Sequence, residues 1–269
     1  MFSTREEAAP TACEDGSFLQ STVIRPGVYQ GQYGSRVRGS NIETELILDS
    51  HGCFRYFLID SNTAFYTAKG RWQASDEEML LSRVIRAGLN EGGFSFWDTL
   101  NAPDSSRLRN VYESSFERQE AFFDSLGIPM LLWVTYHRIP PQPLLSEGRY
   151  EFTELFRDWF DTNAVNFGLT RIRLNRGGSF FEDRFQNGKP MFEIEDFSWK
   201  QSGSFFISTD SHIRFPTDST GFSEWFHSPP DYEFITRLQN IGASSFQFWL
   251  GADYTVQKFP IWATFKAKP

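Results

Sequence analysis

Arg107-Leu108-Arg109-Asn110-Val111-Tyr112-Glu113-Ser114-Ser115-Phe116 returns, diverged, as Arg237-Leu238-Gln239-Asn240-Ile241-Gly242-Ala243-Ser244-Ser245-Phe246. The correspondence extends both ways along the chain. Gly27-Val28-Tyr29 matches Gly148-Arg149-Tyr150. Leu46-Ile47-Leu48 followed by Gly52 and Phe54 matches Ile172-Arg173-Leu174 followed by Gly178 and Phe180. Trp72 matches Trp199, Gly93-Phe94-Ser95-x-Trp97 matches Gly221-Phe222-Ser223-x-Trp225, and Trp133-x-Thr135 matches Trp262-x-Thr264. The offset between partners drifts only from about 121 to about 130 residues, so small loop insertions account for it. The chain of 269 residues is therefore read as two diverged copies of one domain.

The segmentation follows. Residues 1–22 form a polar leader, 23–139 the first repeat, 140–147 a Pro-rich linker and 148–269 the second repeat. The linker contains Pro140-Pro141-Gln142-Pro143, a composition that favours extended, semi-rigid geometry. Met1–Ser21 lacks the apolar stretch of a secretory signal. Two readings of the leader stay open: a native flexible N-terminus in the cytoplasm, or the tether of an exported protein whose signal has been removed. Cys13 and Cys53 are too few for a disulfide framework or metal cluster, and two separate thiols are the expectation over a bridge.

Within each repeat the signals are those of strands. Asn187-Gly188 supplies a two-residue turn with positive φ between Ser179–Gln186 and Pro190–Lys200. Asp60-Ser61-Asn62-Thr63 fills the same slot in the first repeat, as a looser turn. Thr44–Asp49 and Leu169–Asn175 alternate apolar and polar residues, as strands with one buried face do. About eight short strands per repeat result, which is the pattern of an antiparallel barrel or sandwich. Two segments are ambiguous. Tyr112, Phe116 and Phe123 give 111–126 a helical spacing, whereas its partner Ser244–Leu250 reads as a strand. Phe152, Phe156 and Trp159 do the same for 151–160, where the first-repeat partner Gln30–Val37 favours a strand.

The order Gly-x-aromatic, strand, Gly-x-Phe, long hairpin and Trp strand resembles the small lipocalin-like, or calycin, barrels of many bacterial proteins. Gly27-Val28-Tyr29 and Gly148-Arg149-Tyr150 look like the Gly-x-Trp element that closes one end of such barrels, with Tyr in place of Trp. The resemblance covers both repeats. It implies an all-β chain of two tandem antiparallel lipocalin-like β-barrels related by internal duplication. It further implies interiors filled by side chains or by one small apolar ligand.

Composition narrows the function classes. The net charge is −8, with no basic run interleaved with aromatics, so nucleic acid is not an expected partner. No stretch approaches 18 apolar residues, so no transmembrane segment is expected. None of His51, His137, His212 and His227 has a second ligand type at zinc-like spacing, so no metal site is read. Hydrolase, phosphate-loop and dinucleotide motifs are missing, and no cofactor is expected.

Three functional readings remain. Aromatic residues make up 17% of the chain, including 29 Phe and 8 Trp. Trp72, Trp97, Trp133, Trp199, Trp225 and Trp262 recur in pairs, either as a shared core or as the indole lining of a ligand pocket. Trp159 and Trp249 have no tryptophan counterpart and are candidates for a repeat-specific protein-contact surface. Acidic residues gather on the second repeat's hairpin: Glu182-Asp183 on one arm, and Glu193, Glu195 and Asp196 on the other, with Arg184 near. They form either a carboxylate pair for acid–base work or a solvated face with Phe181, Phe185, Phe192 and Ile194 as the core behind it. The readings rank as a binding protein for a small apolar ligand, then a structural or protein-interaction module, then an enzyme.

Overall fold

A computed structural model describes residues 24–33, 42–90, 93–100, 104–123, 129–157, 165–175, 178–217, 221–227, 232–249 and 262–268. Among these residues the only regular element is the β-strand, so no helix is present that could cross a membrane. The strands of the first repeat are β1 (Gly27–Tyr33), β2 (Ile42–Leu48), β3 (Cys53–Asp60), β4 (Thr63–Ala74), β5 (Glu78–Asn90), β6 (Gly93–Leu100), β7 (Asp104–Tyr112), β8 (Ser115–Phe123) and β9 (Pro129–Ile139). Those of the second are β10 (Gly148–Arg157), β11 (Val165–Leu174), β12 (Phe180–Gln186), β13 (Lys189–Ser202), β14 (Phe205–Arg214), β15 (Phe226–His227), β16 (Tyr232–Gln239), β17 (Ser245–Trp249) and β18 (Trp262–Lys268). Each strand of one repeat thus has a counterpart in the other.

Antiparallel pairing closes each repeat into a barrel. In the first, β1 pairs β2, β2 pairs β3, β3 pairs β4 and β4 pairs β5; β5 then pairs directly with β7, and β8 and β9 follow before β9 returns to β1. In the second, β10 to β14 pair in order, β14 pairs directly with β16, and β17 and β18 lead back to β10. Closure leaves the eight-strand circuit without an unpaired edge. By compactness the chain divides into 1–61, 65–88 and 96–140 as one unit, and 62–64, 89–95 and 141–269 as the other.

Matched hydrogen bonds record the duplication at backbone level. Trp72 N–H donates to the Gly52 carbonyl, and Trp199 N–H to the Gly178 carbonyl. Arg138 N–H donates to Ser114 and Ala267 N–H to Ser244, both at 2.7 Å. Gly52 and Gly178 stand at φ +83° and +88°, a region closed to most side chains, which explains glycine at both turns. Asn110 and Asn240 adopt φ 49° and 50° and each donates its side-chain amide to the next strand, to Glu117 and Gln247. The Gly-x-Tyr elements also behave alike. Tyr29 is buried against Phe116 with its hydroxyl on the Arg25 carbonyl at 2.7 Å, and Tyr150 against Phe246 with its hydroxyl on the Ser146 carbonyl at 2.8 Å.

Two ambiguous segments are resolved and one expectation is corrected. Over residues 111–123 the helical spacing is not a helix: β7 and β8 turn at Glu113-Ser114 and pair antiparallel, and residues 124–126 lie outside the described residues. The segment from 151 is strand β10 as far as Arg157, as the first repeat suggests. Cys53 is disulfide-bonded and not a lone thiol; Cys13, the only other cysteine of the sequence, lies outside the described residues. The turn after β3 is also tighter than expected, with Ser61 and Asn62 both at positive φ, as a two-residue hairpin turn requires.

Candidate functional site

The two barrels differ in the side chains that point inward. In the first, β8 and β9 alternate so that Phe116, Arg118 and Glu120 share the buried face with Val134 and Tyr136. Glu120 is the hub. Its carboxylate accepts from the Tyr56 hydroxyl at 2.8 Å, from Arg118 Nη1 at 3.3 Å and from the Tyr136 hydroxyl. Thr44 Oγ1 lies 3.2 Å from the Tyr136 oxygen and extends the chain of hydrogen bonds. Burial alone would favour a neutral Arg118, but the Glu120 carboxylate outweighs it and holds the guanidinium firmly charged. The first barrel is thus plugged at this level by a buried ionic network.

Burial, and next the Glu120 carboxylate, push the Tyr136 phenol well above its ordinary value of 10.0. The folded protein therefore keeps this proton after an unfolded tyrosine has lost its own. The resulting stability is fully present below about pH 10 and is lost as the pH rises toward the folded value. Denaturant midpoints are expected to hold level up to about pH 10 and to fall above it. In Y136F the alkaline fall should be shallower, as read by denaturation at stepped pH.

The second barrel replaces this network. Phe248 stands in sequence where the first repeat has Arg118, and Phe265 where it has Tyr136. Rings pack where ions did: Phe246 and Phe265 stack at 5.3 Å, and Phe206 meets Phe248 at 5.0 Å. Beside this cluster the barrel holds a cavity of about 290 Å³. Phe152, Phe180, Phe206, Phe248, Trp249 and Phe265 supply its aromatic wall. Thr170, Thr236, Thr63, Glu182 and Arg184 supply its polar atoms.

Glu182 and Arg184 reach the cavity because of the strand register. Ile172, Glu182 and Ile194 are cross-strand neighbours on the inner face, whereas Arg171, Asp183 and Glu193 face outward together with Arg173, Phe181 and Glu195. This reverses part of the sequence reading. Phe181 and Phe185 are not core; they share the outer face with Glu193 and Glu195. The guanidinium carbon of Arg171 lies 4.4 Å from the Phe185 ring centre, and that of Arg173 lies 5.8 Å from Phe181, so cation–π contacts accommodate the outward rings. Glu193 is bound by Arg214 Nε at 2.6 Å, and Asp183 is held bidentately by Arg171 at 2.7 and 2.8 Å. Inside, Arg184 reaches Glu182 at 3.4 Å, and its Nε is buried with no hydrogen-bond partner in the protein.

The tryptophans are scattered. Trp72 is 2% exposed in the first core, with Nε1 3.3 Å from the Asp49 carbonyl. Trp199 is half-buried and stacks on Phe206 at 5.8 Å, and its Nε1 is buried and unpaired. Trp133 lies half-buried under Arg109, whose guanidinium carbon is 4.1 Å from the indole centre. Trp225 lies under Arg214 at 4.4 Å. Trp262 packs against Trp249 at 5.3 Å. The backbone of Trp97 belongs to β6, but its side chain lies outside the described residues, as does all of Trp159. None of the five recurring indoles described lines the cavity. Trp249, singled out for a surface role, does: it is 7% exposed and donates Nε1–H to Thr63 Oγ1 at 2.9 Å. Sequence inspection passed over Arg118 and Glu120 entirely. The available signal was that a charged pair in the first repeat aligns with Phe248 and Leu250 in the second.

His212 and His227 meet across β14 and β15 with ring centres 4.0 Å apart. No group of three metal-ligating side chains occurs among the described residues.

The fold defines the class: an all-β protein of two tandem antiparallel barrels, the first with a buried ionic network and the second with a partly open, aromatic-lined cavity. No protein-family model and no curated protein matches the chain. Among solved structures it is similar to intact Ap-TbpB, described by its N and C lobes, with 9% identity and a TM-score of 0.23 over 92% of this chain and 77% of that one. It is also similar to Transferrin Binding Protein B from Haemophilus parasuis Hp5, with 10% identity and a TM-score of 0.23 over 93% of this chain and 77% of that one.

Proposed function

We propose that this chain is a non-catalytic binding protein whose second barrel holds one small, largely apolar ligand, as a lipocalin-like barrel would. The observation that carries the reading is the aromatic cavity of about 290 Å³. It is about twice the roughly 150 Å³ of an apolar cavity that admits benzene, and close to the lower end of the roughly 300–1,000 Å³ range of small-molecule sites. Its polar residues, three threonines with the Glu182 and Arg184 pair, suit a largely apolar ligand with a polar end. Glu182 and Arg184, paired at 3.4 Å on that wall, are the groups such an end would meet. The disulfide at Cys53 supports an oxidising compartment, and thus the exported reading of the leader over the cytoplasmic one.

An apolar fluorescent probe titrated into the full chain tests the cavity. Thr236 is 8% exposed and lines it, so T236F fills the space without touching the charged pair. Saturable binding by the wild type and a loss of at least about tenfold in T236F is the expected result, since blocking the pocket removes most of the ligand's buried apolar surface. Equal binding by both proteins would place the probe elsewhere and count against the proposal.

A further inference from the structure

We infer that the outer face of the second barrel carries a binding row for phosphate or sulfate ester groups, formed by Lys268, Arg149 and Arg173. The register places these residues side by side. Lys268 is the cross-strand partner of Arg149, and Arg149 that of Arg173, across β18, β10 and β11. Neighbouring strands lie roughly 4.8 Å apart, so the row sets three cations within about 10 Å. Like charges directly opposite one another in a sheet are destabilising. Among the described residues, Arg149 and Arg173 have no carboxylate partner; Arg173 instead rests on Phe181. Lys268 leans diagonally to Glu151, with Nζ to Oε2 at 3.0 Å. The residues line a groove of about 440 Å³.

Two comparisons within the molecule give the row its meaning. The adjacent row on the same face reads Lys266, Glu151, Arg171, Asp183 across β18, β10, β11 and β12, alternating in sign. Charge thus alternates along the neighbouring row, whereas in the row of Lys268, Arg149 and Arg173 compensation is limited to the Lys268–Glu151 pair. In the first barrel the same three positions are Ile139, Val28 and Ile47, paired in the same register. The fold needs no charge there. Three cations have replaced three aliphatic side chains in one copy only, and they stand where mutual repulsion opposes them. A bound oxyanion removes that repulsion: guanidinium groups on adjacent strands present paired N–H donors to its oxygens.

The row is independent of the cavity ligand, and its test does not involve the cavity. The full chain is titrated at low ionic strength with inositol hexakisphosphate and, separately, with sucrose octasulfate. Saturable binding of either is expected, and the tighter of the two tells phosphate esters from sulfate esters as the natural group. The variant R149V/R173I restores the residue types of the first barrel. It should weaken binding at least about tenfold while its melting temperature stays level or rises. R107Q, which removes a cation from exposed strand β7, should bind as the wild type does. No saturable binding of either probe, or an equal loss in R107Q and R149V/R173I, would overturn the inference. So would a double variant that melts lower than the wild type, since the row would then be a structural feature of the sheet.

Discussion

Replacing Glu120 with leucine is expected to bring the first barrel close to unfolding. The carboxylate is the common acceptor for Arg118, Tyr56 and Tyr136, and Arg118 and Glu120 side chains are only 7% and 8% exposed. Removing the acid leaves a guanidinium buried without its counter-charge, which costs about 3–5 kcal/mol. Against a typical domain stability of about 5–15 kcal/mol, that is a large share of the total. The second repeat contains the remedy. It carries Phe248 and Leu250 at the matching positions, so R118F/E120L transplants its solution into the first. The double variant should recover most of the loss, because replacing a whole buried ion pair by apolar residues is often neutral or better. Denaturant unfolding of the single and double variants, read at the transition of the first unit, checks this. An E120L variant as stable as the wild type would mean that the network does not hold the barrel.

Trp72→Ala is expected to cost about 3–5 kcal/mol, the usual range for deleting a large buried aromatic side chain. Trp72 is among the largest fully buried side chains, and it also donates to the Asp49 carbonyl at the β2–β3 turn. Trp72→Phe should still cost about 1–2 kcal/mol through the lost hydrogen bond and the smaller ring. Its partner in the repeat predicts the opposite. Trp199 is half-buried, with an indole N–H that is buried and unpaired, so Trp199→Phe deletes an unsatisfied donor and should be near neutral. Thermal unfolding of the two Phe variants separates them. Equal losses would show that sequence correspondence, and not local burial, sets the energetics of these positions.

What the sequence discloses, and what it hides, follows from where polar side chains point. The duplication is legible because its landmarks are residues with few substitutes: Gly52 and Gly178 at positive φ, Asn110 and Asn240 at the β7–β8 and β16–β17 turns, and Tyr29 and Tyr150 at the barrel ends. The hairpin at Asn187-Gly188 is legible for the same reason. Strand assignment fails at β8, where Arg118 and Glu120 point inward and erase the apolar–polar alternation, leaving Tyr112, Phe116 and Phe123 to imitate a helical stripe. Face assignment fails at β12 on the same account. Glu182 and Arg184 look inward while Phe181 and Phe185 look outward under arginines, so reading apolar as core inverts the strand. Local rules break where the interior is polar, and in both barrels that interior is the distinctive feature. The cavity of the second repeat has no sequence signature, because a cavity is a property of packing and not of any one residue.

The proposal that the second barrel binds a small ligand has a direct physical consequence, a bound mass. Mass spectrometry of the purified full chain under native and then denaturing conditions tests it most directly. A discrete mass excess that disappears on denaturation, and that T236F does not carry, is the expected result. A native mass equal to that of the chain, together with no uptake when the protein is exposed to a mixture of small apolar compounds, would contradict it.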